Sequence, residues 1–141
     1  MGYDSDIIAF KKKSLENRKE VFPDSSFEDL YSGYLVDLIY PNTCDVSEDE
    51  KARWISSPRR GIFNEFFSGN FGNGEVKIID EDTYLRFYNW IETKLKNTTL
   101  YDFIENEKEE GYIDSLLCTY KNMRDKKIDF ETEFVIFEHD W

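Results

Sequence analysis

One segment, residues 80–97, has an apolar pattern that only an amphipathic helix satisfies. Asp80 or Asp82 can accept the free N–H groups of its first turn, and Lys94 and Lys96 suit the negative end of the helix dipole. Such a helix must pack its apolar stripe against other elements. The stripe covers about one third of the helix circumference and consists of Tyr84, Phe87, Tyr88, Ile91 and Leu95.

Residues 128–141 carry the strongest strand pattern in the chain. Phe130, Thr132 and Phe134 alternate with acidic residues, which predicts one solvated face. From Phe134 to Phe137 the sequence is apolar at every position, which predicts that this part is covered on both faces. We therefore predict that the C-terminal strand is central in its sheet.

The other elements follow from capping and turn residues. Ser25 and Glu28 have the spacing of a capping box ahead of a second amphipathic helix that ends before Pro41. A third long helix is predicted over residues 112–123. Shorter elements are predicted as a strand at 3–10, helical turns at 14–21, a capped helix through Trp54 and Ile55, a helix at 61–68 and a strand at 75–80.

Together these elements predict an α+β fold. We expect a single domain over residues 1–141, with about three long amphipathic helices and several short ones packed on a small, mostly antiparallel sheet. An aromatic content of 17% excludes intrinsic disorder. Cys44 and Cys118 are isolated, so neither a disulfide framework nor a zinc site is expected, and a cytoplasmic location is predicted.

Acidic residues dominate the charge. The net charge is −12, and residues 102–141 hold twelve acids against five bases. A surface of this sign repels phosphates and anionic membranes and favours a basic protein partner. We therefore expect no direct contact with nucleic acid and none with a membrane, and we expect no cofactor.

The residues available for catalysis are few. His139 is the only histidine, and a surface or sheet-end position is expected for it. The glycine-rich loop at 69–74 precedes a strand and has no lysine, so a turn is expected instead of a phosphate loop. The enzymatic alternative is a metal-dependent phosphodiesterase that uses Glu75, Lys77 and an upstream aspartate such as Asp6 or Asp24.

The non-enzymatic hypothesis depends on a row of carboxylates. Alternate residues of a strand recur about every 6.6 Å, which is comparable with the spacing of phosphates along a nucleic-acid strand. Such a row would mimic nucleic acid and so inhibit a basic partner, as a toxin-immunity protein or a phage anti-defence protein does. The simpler interpretation is that these acids form the solvated face of a strand. The predicted contact residues are Glu107, Glu109, Glu110, Asp129, Glu131 and Glu133.

Trp90 is the predicted aromatic contact. It lies about 120° from the centre of the stripe on the 80–97 helix, and tryptophan is enriched at interface hot spots. The alternative is that Trp90 packs under a neighbouring loop.

Overall fold

A computed structural model describes residues 4–39, 51–59, 61–72, 74–97 and 110–140. Within this part of the chain, the sheet is antiparallel and has the strand order β2-β1-β4-β3. The predicted α+β class is confirmed, and so is the internal position of the C-terminal strand. The strands are β1 (Asp4–Lys11), β2 (Arg53–Ser56), β3 (Glu75–Ile79) and β4 (Glu133–Asp140).

Two long helices, α5 (Glu81–Lys96) and α6 (Glu110–Asp125), match their predicted positions. The N-cap of α5 is Asp80, whose carboxylate accepts the N–H of Thr83 at 2.7 Å. No helix among the described residues is both long and apolar enough to cross a membrane. The helices are α1 (Lys12–Val21), α2 (Phe27–Leu30), α3 (Val36–Ile39), α4 (Ile62–Phe66), α5 (Glu81–Lys96) and α6 (Glu110–Asp125), with a π-helical turn at Tyr31–Leu35.

Helices cover both faces of the sheet. On the first face, Phe137 of β4 stacks on Phe63 of α4 at 4.5 Å between ring centroids and contacts Phe87 of α5. On the second face, Phe10 and Phe134 stack at 5.4 Å beneath the helical segment 27–39. The prediction that β4 is covered on both sides is confirmed, because its residues from Phe134 to Phe137 are all buried.

The segment 27–39 differs in detail from the predicted helix. Ser26, and not Ser25, is the N-cap, and its hydroxyl accepts the N–H of Asp29. The helix widens into the π-helical turn around Gly33, where the hydroxyl of Ser32 donates to the carbonyl of Glu28. Glycine has low helix propensity and a serine hydroxyl competes for helix carbonyls, so both favour an irregular turn here.

The helix predicted through Trp54 and Ile55 is wrong, because these residues form β2. Ile55 is fully buried, and Trp54 donates its indole N–H to Asp6 of the neighbouring strand. Burial and cross-strand contacts outweigh local helix propensity at such positions. The residues of the predicted capping box, 47–50, lie outside the described part of the chain.

The C-terminal strand begins later than predicted. Residues 130–132 form a turn, and β4 starts at Glu133. The carboxylate of Asp129 accepts the N–H of Glu131 and the hydroxyl of Thr132, so it closes the turn locally. Aspartate stabilises turns in this way, and the expected alternation along residues 129–133 therefore does not exist.

Candidate binding surface

The predicted row of three carboxylates is wrong, and Glu133 is the clearest departure from it. Glu133 is only 4% exposed. Its two carboxylate oxygens accept hydrogen bonds from Nε and Nη2 of Arg53, both at 3.0 Å. One of them also accepts the N–H of Asp129 at 3.2 Å. Glu133 therefore holds the turn and β2 together and is not presented to a partner.

The remaining predicted acids that the structure describes belong to two different elements. Asp129 and Glu131 are exposed in the turn before β4. Glu110 is the first residue of α6, and the sixteen residues of that helix span about 24 Å. Because the turn follows the other end of α6, Glu110 does not share a surface row with Asp129. Glu107 and Glu109 lie outside the described residues.

Trp90 is packed inside the molecule's aromatic cluster. Its ring stacks on Phe87 at 6.0 Å and meets Phe66 edge-on at 5.6 Å between centroids. The ammonium of Lys94 lies 5.4 Å from the centre of the same ring. Trp90 is thus partly buried against side chains of α4 and α5, and not under a loop, and its role at an interface stays a prediction.

A different set of exposed acids flanks one contact between α5 and the turn before β4. Tyr84, one turn into α5, contacts Phe130 edge-on at 5.5 Å between ring centroids. Phe130 lies between the two exposed acids of the turn, and the first residues of α5 are acidic and exposed. We call the resulting group the acidic end; it consists of Asp80, Glu81, Asp82, Asp129 and Glu131.

The members of the acidic end differ in their partners. The hydroxyl of Thr83, followed by its N–H, lowers the pKa of Asp80 below its usual value. Asp82 forms an exposed ion pair with Arg86 at 3.1 Å. Within the described part of the chain, the side chains of Glu81 and Glu131 form no ion pair. Glu81 and Glu131 are therefore the two members whose carboxylates form neither an ion pair nor a hydrogen bond within the described residues.

Three of the five acids, those at 80–82, are not among the predicted contact residues. The sequence predicts Asp80 or Asp82 as a helix cap and gives Glu81 no role, although three successive acids exceed what one cap needs. Their proximity to residues 129–131 depends on the contact between Tyr84 and Phe130. That contact joins segments more than 40 residues apart, so no local sequence pattern predicts it.

A lysine-lined groove lies beside the acidic end. This open cavity has a volume of about 470 Å³ and includes Glu131 in its wall. The acids in its wall partly offset the lysine charges, so both signs of charge are present at this end of the molecule. The lining residues are Lys11, Lys12, Lys13, Glu16, Glu131 and Thr132.

Among the residues of the enzymatic alternative, Glu75 and Lys77 form an ion pair with each other, and Asp6 and Asp24 lie elsewhere in the fold. Glu75 pairs with Lys77 at 2.9 Å and accepts the N–H of Gly72 at 2.6 Å. The Gly72 N–H, followed by the Lys77 ammonium, lowers the pKa of Glu75. Asp6 is level with Val76 across β4, so it projects from the face of the sheet opposite to Glu75. Asp24 lies in an exposed turn after α1.

His139 is buried and not on the surface. It lies near the end of β4, where its Nδ1 is hydrogen-bonded to the hydroxyl of Ser5 at 3.0 Å. Its ring meets Phe71 edge-on at 5.3 Å, and its carbonyl accepts the N–H of Gly74. The loop at 69–72 and 74 thus forms a turn against His139. Among the described residues, no group of three or more His, Cys, Asp or Glu side chains is arranged to hold a metal ion.

Comparisons with known proteins give no relative. No family model matches the sequence. No curated protein and no solved structure matches it either. The functional argument therefore depends on the geometry of the chain itself.

Proposed function

We propose that this chain is a non-enzymatic, cytoplasmic binding protein that inhibits a basic protein partner, in the manner of an immunity or anti-defence protein. The observation that carries the proposal is the acidic end, whose exposed acids from α5 and from the turn before β4 flank the contact of Tyr84 with Phe130. The net charge of −12 has the same sign and adds a long-range attraction for a basic partner.

The proposal differs from the sequence-based hypothesis in one respect. A regular row of carboxylates at strand spacing was the basis for nucleic-acid mimicry, and the burial of Glu133 together with the turn at 130–132 removes that row. What supports inhibition is charge complementarity alone, which speeds the encounter and selects the partner without imitating phosphate spacing. A nuclease or a nucleic-acid-binding protein fits this description because each has a basic cleft.

Charge reversal at the two acids of the acidic end that form no ion pair and no hydrogen bond tests the proposal. The partner is captured from native lysate with the wild-type chain at low salt, identified, purified and used for kinetic measurements. In the double variant Glu81→Lys with Glu131→Lys we expect the association rate to fall at least tenfold, with the dissociation rate little changed. Wild-type association should slow steeply as salt rises to about 0.5 M, where the screening length is only a few ångströms.

The matched control is the double variant Glu20→Lys with Asp24→Lys. It makes the same change in net charge at exposed residues, at the end of α1 and in the turn that follows it. If both double variants slow association equally, net charge acts and the acidic end does not. Hydrolysis of a phosphodiester by the purified chain with Mg²⁺, lost in Glu75→Ala, would favour the enzymatic alternative over the proposal.

A further inference from the structure

The two edges of the sheet are protected differently. Along β2, the ammonium of Lys126 lies 3.4 Å from the carbonyl oxygens of Trp54 and Ile55. The same ammonium lies 4.7 Å from the centre of the Trp54 ring. A lysine placed along an edge strand hinders the addition of another strand. Lys126 of this chain therefore hinders the addition of a further strand at the β2 edge.

The β3 edge has no comparable protection in the described part of the chain. There, the main chain from Val76 to Ile79 forms hydrogen bonds only through its pairing with β4. The one lysine of the strand, Lys77, pairs with Glu75 and lies 5.3 Å from the centre of the Phe71 ring. Its charge is thus neutralised, and its side chain lies on the first face of the sheet. In this position it does not hinder the addition of a strand at the edge.

An exposed apolar side chain accompanies this open edge. Ile78 is 52% exposed, and by strand alternation it projects from the face opposite to Lys77. A β-branched side chain on an unpaired edge favours pairing with another extended chain. Directly after the strand come Asp80, Glu81 and Asp82 of the acidic end. An added chain that runs past Ile79 therefore meets negative charge.

We infer that β3 is the docking edge for the basic partner, which adds an extended segment beside it as a further strand. The inference rests on the proposed function and names the kind of contact. Main-chain hydrogen bonds supply affinity in such strand addition, and side-chain contacts supply selectivity. The segment carries an apolar side chain against Ile78 and lysine or arginine where it passes Asp80 to Asp82. The charge of these acids selects a basic segment over an acidic one.

A phage-displayed library of random dodecapeptides, panned against the wild-type chain, provides the probe. We expect enriched peptides to alternate apolar and polar residues and to carry a net positive charge. A synthetic copy of the most enriched peptide should slow hydrogen exchange at outward-facing amides of residues 76–79. Its affinity should fall at least tenfold in Ile78→Lys, because the lysine removes the apolar contact and repels basic residues.

Val21→Lys is the matched control. Val21 is β-branched like Ile78 and 63% exposed, and it is the last residue of α1, far in sequence from β3 and from the acids at 80–82. The peptide should bind this variant within twofold of wild type, and the melting temperature of each variant shows that it is folded. Equal loss of affinity in both variants would overturn the inference.

The remaining outcomes separate this inference from the proposed function. If basic peptides bind and protect amides outside β3, the docking edge is wrong and a basic partner is still supported. If no basic peptide is enriched, the docking edge is overturned, and the proposed function is decided separately by the charge-reversal kinetics. Protection of residues 76–79 that grows with protein concentration, without peptide, would assign the edge to a second copy of this chain and overturn the inference.

Discussion

Arg53 and Glu133 form a two-pronged ion pair that joins β2 to the start of β4 across β1. Both hydrogen bonds measure 3.0 Å, and Nη2 of Arg53 also donates to the carbonyl of Lys127 at 2.8 Å. The carboxylate is almost fully buried. One arginine therefore fixes the edge strand, the segment after α6 and the turn that carries two acids of the proposed surface.

Removal of Arg53 should destabilise the fold. In Arg53→Ala the carboxylate of Glu133 stays buried without its cation, so we expect the free energy of unfolding in urea to fall by about 2 kcal/mol. Arg86→Ala is the control, because Arg86 pairs with Asp82 at a similar distance on the surface. An exposed pair of this kind contributes at most about 0.5 kcal/mol. Equal losses in the two variants would contradict the structural role of Arg53.

Two glycines should respond to alanine with opposite signs. Gly33 lies in the π-helical turn, and a Cβ there meets no atom within 4 Å. Gly33→Ala should raise the free energy of unfolding by about 0.5–1 kcal/mol, because it reduces the entropy of the unfolded chain. Gly61 has a φ of +71°, so Gly61→Ala should lower the same quantity. Thermal and urea unfolding measure both.

The pH dependence of stability should contain a contribution from Glu75. The folded state lowers the pKa of this carboxyl, first through the N–H of Gly72 and then through Lys77. The unfolded state therefore binds the proton more tightly. The stabilisation is present above the unfolded pKa, about 4.3, and is lost as pH falls through the folded pKa. We expect Glu75→Gln to be less stable than wild type at pH 7 and to approach it in acid.

Lys77→Gln provides the comparison for Glu75. The Gly72 N–H, which is the larger cause of the lowered pKa, remains in this variant. Urea unfolding at pH 7, 5 and 3.5 should therefore show a pH dependence closer to wild type in Lys77→Gln than in Glu75→Gln. A Glu75→Gln variant with the full wild-type pH dependence would show that the hydrogen bond to Gly72 does not stabilise the fold.

Trp90 should matter to stability. Its ring packs on Phe66 and Phe87, and removal of a large aromatic side chain leaves a cavity. We expect Trp90→Ala to lower the free energy of unfolding by about 2 kcal/mol, less than for a fully buried ring. Association with the purified partner should change less than twofold at a temperature where the variant is folded. A tenfold loss of affinity for the partner in the folded variant would show that Trp90 belongs to the interface.

Local patterns were sufficient for the two long helices, α5 and α6, and for the centre of the sheet. The stripe of α5 depends only on residues within the helix, and Asp80 caps it as the sequence indicates. The position of β4 followed from its apolar run, because a strand with two apolar faces needs cover on both sides. The residues that determine each of these features are close to one another in the sequence.

The errors arose where distant residues decide the outcome. Trp54 belongs to a strand because β1 lies beside it, and nothing in the local capping pattern contains that information. Glu133 is buried because Arg53, 80 positions earlier, supplies its counter-charge. For the same reason the acidic end was not predicted, since it depends on one contact between two aromatic rings from separate segments.

The pairing of β1 with β4 also constrains when this protein can fold during its synthesis. Ser5 and His139, which are hydrogen-bonded in neighbouring strands, lie 134 positions apart. While the ribosome is still producing the middle of the chain, β1 lacks its central neighbour and exposes Ile8 and Phe10. The nascent polypeptide must therefore either be shielded or be completed quickly, and a premature stop before residue 133 leaves it without the strand that unites the two helical layers.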